Sequence, residues 1–483
     1  MNAKAGAQIS LKAFIQSVLI LFAIMIIAGI LTLVIPAGNY SRTLLDGREM
    51  IEPESFQFVD RPDYPIWRWF TAPVEVLWGP EGLIVIVIII FILMVGGAFA
   101  VLDQVGILKA GIARIVQAFG GKKYVLLLVI SLFFMALGSF FGILEEIVPL
   151  VPLMIALSYY LGWDALVGLG MSVLATNMGF SAAITNPFTI GIAQKIAGLP
   201  LFSGAWFRVP IFITIYAVFA VFLVRYAKRV ERKPKESLVF DEDKAGRMKY
   251  DHLDLDAIAA SSPHLGRAVA FFSVFLALIL FVLIGSPFIS VISDYALPLV
   301  GVFFLIGGVG AGLLSGAGKK AVLKALWEGI SGIAPGIILI LMAVSIKHIV
   351  VQGGIMDTIL HRAAQSFSQA SPFLSAVIIY FLALMIEFFV ASGSAKAFLM
   401  MPILLPLADL VGVTRQVTVT AYCFGDGFSN LVYPTNPLLL IVLGLAVVPY
   451  PKWLKWTLPL WFWVVVVTVI FLGIGVAIGY GPF

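Results

Sequence analysis

The sequence predicts an all-α, polytopic membrane protein that consists of two inverted repeats, each with a re-entrant hairpin and a broken helix. Three observations predict this fold class. The 483 residues are 61% hydrophobic and only 12% charged, so most of the chain requires lipid around it. Two stretches of the chain match each other at an offset of about 250 positions. Ionisable residues lie within long apolar runs of both stretches, where a charge is costly.

The matching stretches indicate an internal duplication. The early pairs are separated by 248 positions and the later pairs by 250 positions. They are Gly106 with Gly354, Ile107 with Ile355, Arg114 with Arg362, Gln117 with Gln365, Phe119 with Phe367, Glu146 with Lys396, Pro152 with Pro402, Gly162 with Gly412, Thr185 with Thr435, Asn186 with Asn436, and Pro187 with Pro437.

Uninterrupted apolar runs predict simple transmembrane helices, each long enough to cross ~30 Å of hydrocarbon at 1.5 Å per residue. The first run is too long for a signal-peptide core, so we interpret it as a retained helix. These helices are predicted at 14–35, 82–102, 206–226, 267–287, 294–314, 328–351 and 454–480.

Two longer apolar segments, 123–161 and 371–411, predict re-entrant hairpins instead. The first has two arms of about 15 residues, which reach only ~23 Å each, and Glu145 and Glu146 lie at its tip. The second has Lys396 at its tip. Neither arm is long enough to cross the membrane, and amphipathic segments ahead of both hairpins are expected to lie along its surface.

The segments after the hairpins, 163–197 and 413–448, predict helices that are broken near the membrane midplane. Gly, Ser and Asn residues interrupt each run, and Asn followed by Pro then provides an N-cap and a first-turn residue. Irregular backbone at that depth must be buried in protein or line a polar cavity. The alternative is that these motifs only kink two packed helices.

The chain therefore divides into four parts. Most Lys and Arg residues fall on the side of the amino terminus, which the positive-inside rule makes cytoplasmic; the carboxyl terminus is then extracytoplasmic. Five crossings separate the two repeats, so they are expected to insert in opposite orientations. The parts are a first helix and extracytoplasmic loop at 1–81, a first repeat at 82–226, a charged, solvated linker with two helices at 227–327, and a second repeat at 328–483.

Ionisable residues inside apolar runs are the candidates for function. Each costs at least ~2.5 kcal/mol at membrane depth unless it is paired or hydrated. They are Glu145, Glu146, Glu387, Lys396 and Asp426. Four carboxylates and one ammonium sum to a formal charge of minus three, which requires protons, Na⁺ or a cationic substrate. The alternative is that Lys396 only neutralises Glu387 or a tip glutamate in a structural ion pair.

The restarting half-helices offer a second kind of site. Unpaired backbone N–H groups and the positive end of the helix dipole at Asn186 and Asn436 suit a substrate carboxylate. Carbonyl and side-chain oxygens of the preceding half-helices could hold Na⁺ or polar substrate atoms. For the coupling ion the candidates are Thr176, Asn177 and Asp426.

Five segments resemble the YfcC branch of the DcuC-type carriers, within the ion-transporter superfamily. The resemblance covers nearly the whole chain and implies a homodimeric elevator carrier in the bacterial inner membrane. In this chain Glu387 stands where the family has Asn, which favours a cationic or zwitterionic substrate over a dianion. The segments are Ile35–Arg42, Glu145–Pro152, Gly179–Gly204, Ser392–Ala397 and Phe424–Pro437.

The residues and the resemblance together predict a secondary active transporter of small carboxylate-bearing metabolites, chiefly amino acids including basic ones. A C4-dicarboxylate carrier and an ion channel are the alternatives. We expect no enzymatic activity, no cofactor beyond Na⁺ or H⁺ coupling and no nucleic-acid partner. The predicted substrate-binding residues are Glu145, Glu146, Asn177, Ser181, Thr185, Asn186, Ser392, Ser394, Lys396, Asp426, Ser429, Asn430, Thr435 and Asn436.

Overall fold

The computed structural model describes residues 11–45, 48–80, 82–110, 119, 121–250, 263–285, 289–365 and 370–481. Within these ranges the chain is mostly helical, and nine helices are long and apolar enough to cross a membrane. The prediction of a polytopic membrane protein is therefore confirmed. Arg114, Gln117 and Phe367 of the duplication, with about half of the first amphipathic segment at 103–119 and part of the linker, lie outside the described residues.

The simple helices are close to their predicted positions. They are Leu11–Val34 (α1), Gly82–Gln104 (α2), Ala205–Arg232 (α3), Pro263–Gly285 (α4), Ser290–Leu314 (α5) and Tyr450–Ala477 (α6).

The predicted helix at 328–351 lies within one of these candidate spans, Lys319–Gln352, but that span is interrupted. Two helices, Lys319–Ile333 (α7) and Gly336–Gln352 (α8), meet at a turn that contains Pro335. Proline cannot donate the backbone hydrogen bond that would join the two helices, so the chain turns there. The first of them packs closely on α2, where a Cβ at Gly329 would lie 2.6 Å from the Cβ of Ala100.

The all-α prediction also needs a correction in the loop that follows α1. Two small antiparallel sheets form there, Gly38–Asn39 with Gln57–Phe58 and Arg42–Leu45 with Arg48–Ile51. The second sheet must be antiparallel, because only two residues connect its short strands. Strands this short have no periodicity at the scale of a membrane helix, so hydropathy does not reveal them.

Loop residues are also tied to the helices around them. The guanidinium of Arg42 pairs with the carboxylate of Asp357 at 2.8 Å, and the backbone N–H of Tyr40 donates to the same carboxylate. The short helix Trp67–Glu75 carries Glu75, whose pKa is lowered to about 2, chiefly by the hydrogen bond from Arg68. Asp357 belongs to the helix Met356–Gln365, which precedes the second hairpin.

Each predicted hairpin consists of two helices joined at a tip. In the first, Lys123–Ala136 (α9) continues as the π-helical turn Leu137–Phe141, and the 3₁₀ turn Glu145–Leu150 leads into Val151–Tyr160. The second consists of Pro372–Glu387 (α10) and Gly393–Leu410 (α11). The arms at 123–141 and 393–410 reach 19 and 18 residues, so the prediction that the arms are too short to cross a membrane is wrong for these two.

Both segments that follow the hairpins are interrupted. The first consists of Ala165–Leu169, the π-helical turn Gly170–Leu174, Ala175–Ser181 (α12), an irregular stretch, the π-helical turn Pro187–Gly191 and Ile192–Ile196. The second consists of Arg415–Gly427 (α13) and Pro437–Ala446 (α14). Residues 182–186 and 428–436 form the two interruptions, which we call the first and second breaks.

The bases of the two hairpins lie at opposite ends of α3. Near its carboxyl end, Glu231 pairs with Lys123 at 2.7 Å, at the base of the first hairpin. Just before its amino end, Ser203 accepts a hydrogen bond from Gln416, which follows the second hairpin. A helix of 28 residues is ~42 Å long, comparable with the thickness of a whole bilayer.

Candidate functional site

The tip of the first hairpin supplies hydrogen bonds to the first break. The backbone N–H of Ile184 donates to the Ser139 hydroxyl at 3.0 Å, and that hydroxyl donates to the carbonyl of Ala182 at 3.0 Å. The N–H of Thr185 donates to the Ser139 carbonyl at 3.1 Å, and its hydroxyl donates to the carbonyl of Phe140. Tip and break therefore form one hydrogen-bonded unit, in which the tip satisfies the N–H groups of Ile184 and Thr185.

Asn186 caps the half-helix that restarts after the first break. Its side-chain oxygen accepts from the N–H groups of Phe188 and Thr189, and its amide donates to the carbonyl of Phe180. Asn436 caps its half-helix in the same way, accepting from the N–H of Leu438 at 3.0 Å. The predicted caps are present. The cap also occupies N–H groups that the sequence analysis had left free for a substrate, so fewer of them remain.

The helix that precedes the first break contacts the second broken helix. The Asn177 amide donates to the carbonyl of Phe428 at 3.4 Å. A Cβ at Gly427 would lie 2.8 Å from the Cα of Ser181, so only glycine permits this approach. The amide of Asn436 donates to the side-chain oxygen of Asn430 at 3.1 Å. Side chains from both halves of the sequence are thereby brought into one region.

Lys396 lies at the centre of a buried charged cluster with Glu387 and Asp426. Its ammonium donates to the carboxylate of Asp426 at 2.7 Å and contacts that of Glu387 directly. The three side chains are at most 1% exposed. They come from α10, α11 and α13, so this cluster joins the second hairpin to the second broken helix.

The surroundings of this charged cluster are tight and incompletely satisfied. The Tyr422 hydroxyl donates to the carbonyl of Gly393. A Cβ at Gly393 would lie 2.8 Å from Oδ2 of Asp426 and 3.1 Å from the Thr189 methyl. Among the described residues, Oε1 of Glu387, Oδ2 of Asp426 and Oγ1 of Thr189 have no hydrogen-bond partner. Buried oxygens of this kind are expected to take a ligand or a proton.

The two tip glutamates are placed differently. Glu145 is exposed, while Glu146 is half-buried and accepts from the N–H of Leu144 at 3.2 Å. The charge of Asp426, which belongs to the other half of the sequence, acts on Glu145. Glu145 is therefore the more exposed of the two tip carboxylates.

Several candidate hydroxyls are used by local hydrogen bonds. Those of Thr176, Ser181 and Ser429 donate to the carbonyl four residues earlier on their own helices. Ser392 accepts from the N–H of Ala395 and lies 3.5 Å from the hydroxyl of Ser394. All five oxygens retain lone pairs for a cation, but the protons of Thr176, Ser181 and Ser429 are already engaged.

Two further buried oxygens among the candidates, besides Oδ2 of Asp426, lack a partner within the described ranges. They are Oδ1 of Asn177 and Oγ1 of Thr435. Both belong to the broken-helix segments that the sequence identified.

Arg208, which the sequence analysis overlooked, holds the first break in place. This residue of α3 is only 2% exposed, and its guanidinium donates to the carbonyl of Ile184 at 3.0 Å and to the Tyr480 hydroxyl at 3.1 Å. An arginine in the first turn of an apolar span is the signal that could have identified it.

The fold and this buried polar region define a multi-pass membrane transporter, and the comparisons with known proteins agree. The chain belongs to the DcuC family of C4-dicarboxylate anaerobic carriers, which matches residues 14–477. It is 29% identical over 468 residues to the putative basic amino acid antiporter YfcC of Escherichia coli strain K12, covering 91% of this chain and 92% of YfcC. The resemblance seen in the sequence is confirmed.

Three further proteins align with most of the chain. A Haemophilus influenzae protein is 25% identical over 482 residues, which is 91% of this chain and 92% of that protein. The crystal structure of the YdaH transporter of Alcanivorax borkumensis aligns with a TM-score of 0.43 and 17% identity, over 97% of this chain and all of that one. MtrF of Neisseria gonorrhoeae aligns with a TM-score of 0.42 and 16% identity, over 94% of both chains.

Proposed function

We propose that this protein is a secondary active transporter of small carboxylate-bearing metabolites, and that its substrates are amino acids including basic ones. The observation that supports this is the buried cluster of Lys396, Glu387 and Asp426, with Glu145 within range of it. Because carboxylates outnumber the ammonium, a cationic or zwitterionic substrate restores the charge balance better than a dianion does.

In this proposal the substrate carboxylate binds near the capped half-helix ends at Asn186 and Asn436, and its ammonium or guanidinium binds Glu145. The helix dipole favours the carboxylate there even though the Asn side chains occupy some of the N–H groups. For coupling, we propose either a proton on Asp426 or a Na⁺ held by Asn177 and Thr176; among the described residues, Oδ2 of Asp426 and Oδ1 of Asn177 have no hydrogen-bond partner.

Movement is proposed to follow an elevator mechanism, with the hairpins and broken helices travelling as one body within a homodimer. Hydrogen bonds from Ser139 to the first break and the charged cluster at Lys396 hold these elements together. The two hairpin bases at opposite ends of α3 support an inverted repeat, the arrangement that alternating access requires.

Counterflow in proteoliposomes containing the purified protein tests the substrate. We expect internal unlabelled arginine or ornithine to drive uptake of labelled arginine, with saturation, whereas succinate and acetate do not. Lys324→Ala is a control variant. It changes a lysine whose side chain is 75% exposed and should transport like the wild type. Flux that does not saturate would indicate a channel, and exchange of succinate alone would contradict the amino-acid assignment.

A C4-dicarboxylate carrier is the second candidate, because this is the activity for which the family is described. The Lys396 ammonium and the two half-helix ends could then hold the two substrate carboxylates, with coupling cations balancing the added charge. Counterflow of succinate without counterflow of arginine would establish this function instead.

A further inference from the structure

The charged cluster of Lys396, Glu387 and Asp426 carries more negative than positive charge. Two carboxylates and one ammonium give a formal charge of minus one when all are ionised. With the side chains at most 1% exposed, water cannot stabilise that charge. A buried ion without a counter-ion costs several kcal/mol, so the cluster requires one more positive charge.

Two oxygens are available to receive that charge. Oε1 of Glu387 and Oδ2 of Asp426 have no hydrogen-bond partner among the residues that the structure describes, although each carboxylate binds the Lys396 ammonium through its other oxygen. A proton on either oxygen makes the cluster neutral without adding volume. The close packing at Gly393, where a Cβ would lie 2.8 Å from Oδ2, favours a ligand that small.

A metal ion suits this place less well than a proton. The ammonium of Lys396 already lies between the two carboxylates and is 2.7 Å from Asp426. A second cation bound to the same oxygens would be repelled by it at short range, in surroundings where water does not screen the repulsion. The lysine thus occupies the position that a bridging Na⁺ would take.

Other charged and titratable groups face the cluster from the elements packed around it. From the first hairpin the charge of Glu145 acts on Asp426, with Glu146 beside it. Tyr422 and Cys423 on α13 lie next to Asp426, and Cys423 is also within range of the Arg208 guanidinium. Glu145 is the one carboxylate of this set that is exposed, so it is where an external cation can act on the cluster.

We propose that this cluster binds one proton in the absence of a cationic substrate and releases it when such a substrate binds at Glu145. The inference rests on the proposed function and specifies its coupling. The proton forms an O–H bond with Glu387 or Asp426 and leaves to water on the side where the substrate enters. A cluster with neither proton nor substrate keeps its uncompensated charge, which opposes movement through the membrane. The protein therefore exchanges one proton for one monovalent cationic amino acid.

Proteoliposomes with labelled arginine test this coupling. With the membrane potential clamped, an interior more acidic by one pH unit should raise the ratio of internal to external arginine ~10-fold at steady state. External arginine should also make the interior more alkaline, as reported by a trapped pH-sensitive dye. Because one positive charge is exchanged for another, an imposed potential should not change the ratio.

Glu387→Gln should abolish the response to the pH gradient, because the remaining Lys396–Asp426 pair is neutral without a proton. Asp426→Asn makes the same change of charge and serves if the first variant does not fold. Asp409→Asn is the matched control, since Asp409 lies on the same helix with its side chain 43% exposed. This control should keep the ~10-fold response.

Different failures have different meanings. If arginine does not exchange at all, the proposed function fails and this inference fails with it. If arginine exchanges but a pH gradient does not shift its distribution, or a Na⁺ gradient drives it instead, only the proton coupling is wrong. A folded Glu387→Gln protein that keeps the full response would also overturn the inference.

Discussion

Among the single residues of the site, Lys396 determines the charge balance. It is fully buried and contacts two carboxylates from different helices. Such an arrangement is a weak source of net stability, because removing three charged groups from water cancels most of their attraction. The loss of one partner is costly all the same, since it leaves the others buried and unpaired.

Lys396→Met should destabilise the protein and prevent uptake. It leaves Glu387 and Asp426 facing one another without the ammonium, at a cost of ~3–5 kcal/mol. The measurements are the thermal unfolding midpoint in detergent and counterflow of labelled arginine. The double variant Lys396→Met with Glu387→Gln should recover much of the stability but none of the transport. Equal midpoints for the single variant and the wild type would show that the cluster is not under electrostatic stress.

Gly393 tests the packing beside the same cluster. In Gly393→Ala the new Cβ would lie 2.8 Å from Oδ2 of Asp426, so the second hairpin tip or the carboxylate must move, at a cost of ~1–3 kcal/mol. We expect lower uptake and a lower unfolding midpoint. Gly266→Ala is the control: its Cβ has no neighbour within 4 Å among the described residues, and alanine is ~1 kcal/mol better than glycine in a helix. Equal behaviour of the two variants would contradict the close packing.

Among the helices and loops, local signals in the sequence predicted more than long-range ones. Asn followed by Pro predicted both half-helix starts, because the cap and the first turn depend only on adjacent residues. The hydrogen bonds of Ser139 to the first break join positions more than 40 residues apart. They depend on how two helices pack, and periodicity carries no information about that.

The choice of partners within the candidate site was also only partly predictable. An ion pair between Lys396 and Glu387 was one of the open alternatives, but the additional bond to Asp426 depends on the packing of α13 beside α11. Pro335 shows the converse: a single proline divided a run whose hydropathy alone predicted one helix. Composition places residues in the membrane, whereas side-chain geometry decides which of them meet.

The linker after α3 is attached to the first broken helix by a buried polar network. The carboxylate of Asp243 accepts from the N–H of Ala165 at 2.8 Å and from the Tyr159 hydroxyl at 2.9 Å. Asp164, the N-cap of that helix, accepts from the hydroxyls of Tyr226 and Ser237. The predicted solvated linker is therefore docked here, although its sequence is rich in charged residues.

This docking should weaken as the pH rises. Burial, with the nearby charge of Asp164, raises the pKa of Asp243 to about 7. The folded state thus binds the proton more tightly than the unfolded state, whose pKa is near 3.8. The stabilising contribution is complete below that lower value and is lost as the pH rises through 7. Hydrogen exchange of residues 234–248, corrected for its intrinsic pH dependence, should show weaker protection at pH 8 than at pH 5.

Asp243→Asn provides the control for this titration. An amide cannot ionise in this range, yet its oxygen can still accept from the N–H of Ala165. Protection of the linker should then be the same at both pH values and close to that of the wild type at pH 5. A pH dependence that persists in this variant would assign the titration to another group.

At the scale of the whole molecule, the proposed alternating access depends on how the two hairpins are arranged. One base lies beside Glu231 and the linker, and the other lies beside Ser203 and the chain end at Tyr480. Since these places are at opposite ends of α3, which is long enough to cross the bilayer, each hairpin base should be reached from a different side of the membrane.

Cysteine labelling can measure this directly, because Cys423 is the only cysteine in the sequence and is buried. In a Cys423→Ser background, Lys122→Cys marks the base of the first hairpin and Ser371→Cys that of the second; both native residues are exposed. With the linker side in the cytoplasm, a membrane-impermeant maleimide should label Ser371→Cys in intact spheroplasts but Lys122→Cys only after permeabilisation. The reverse pattern would invert the orientation and leave the inverted repeat standing. Labelling of both variants from the same side would overturn the inverted repeat itself, and with it the elevator mechanism proposed for this protein.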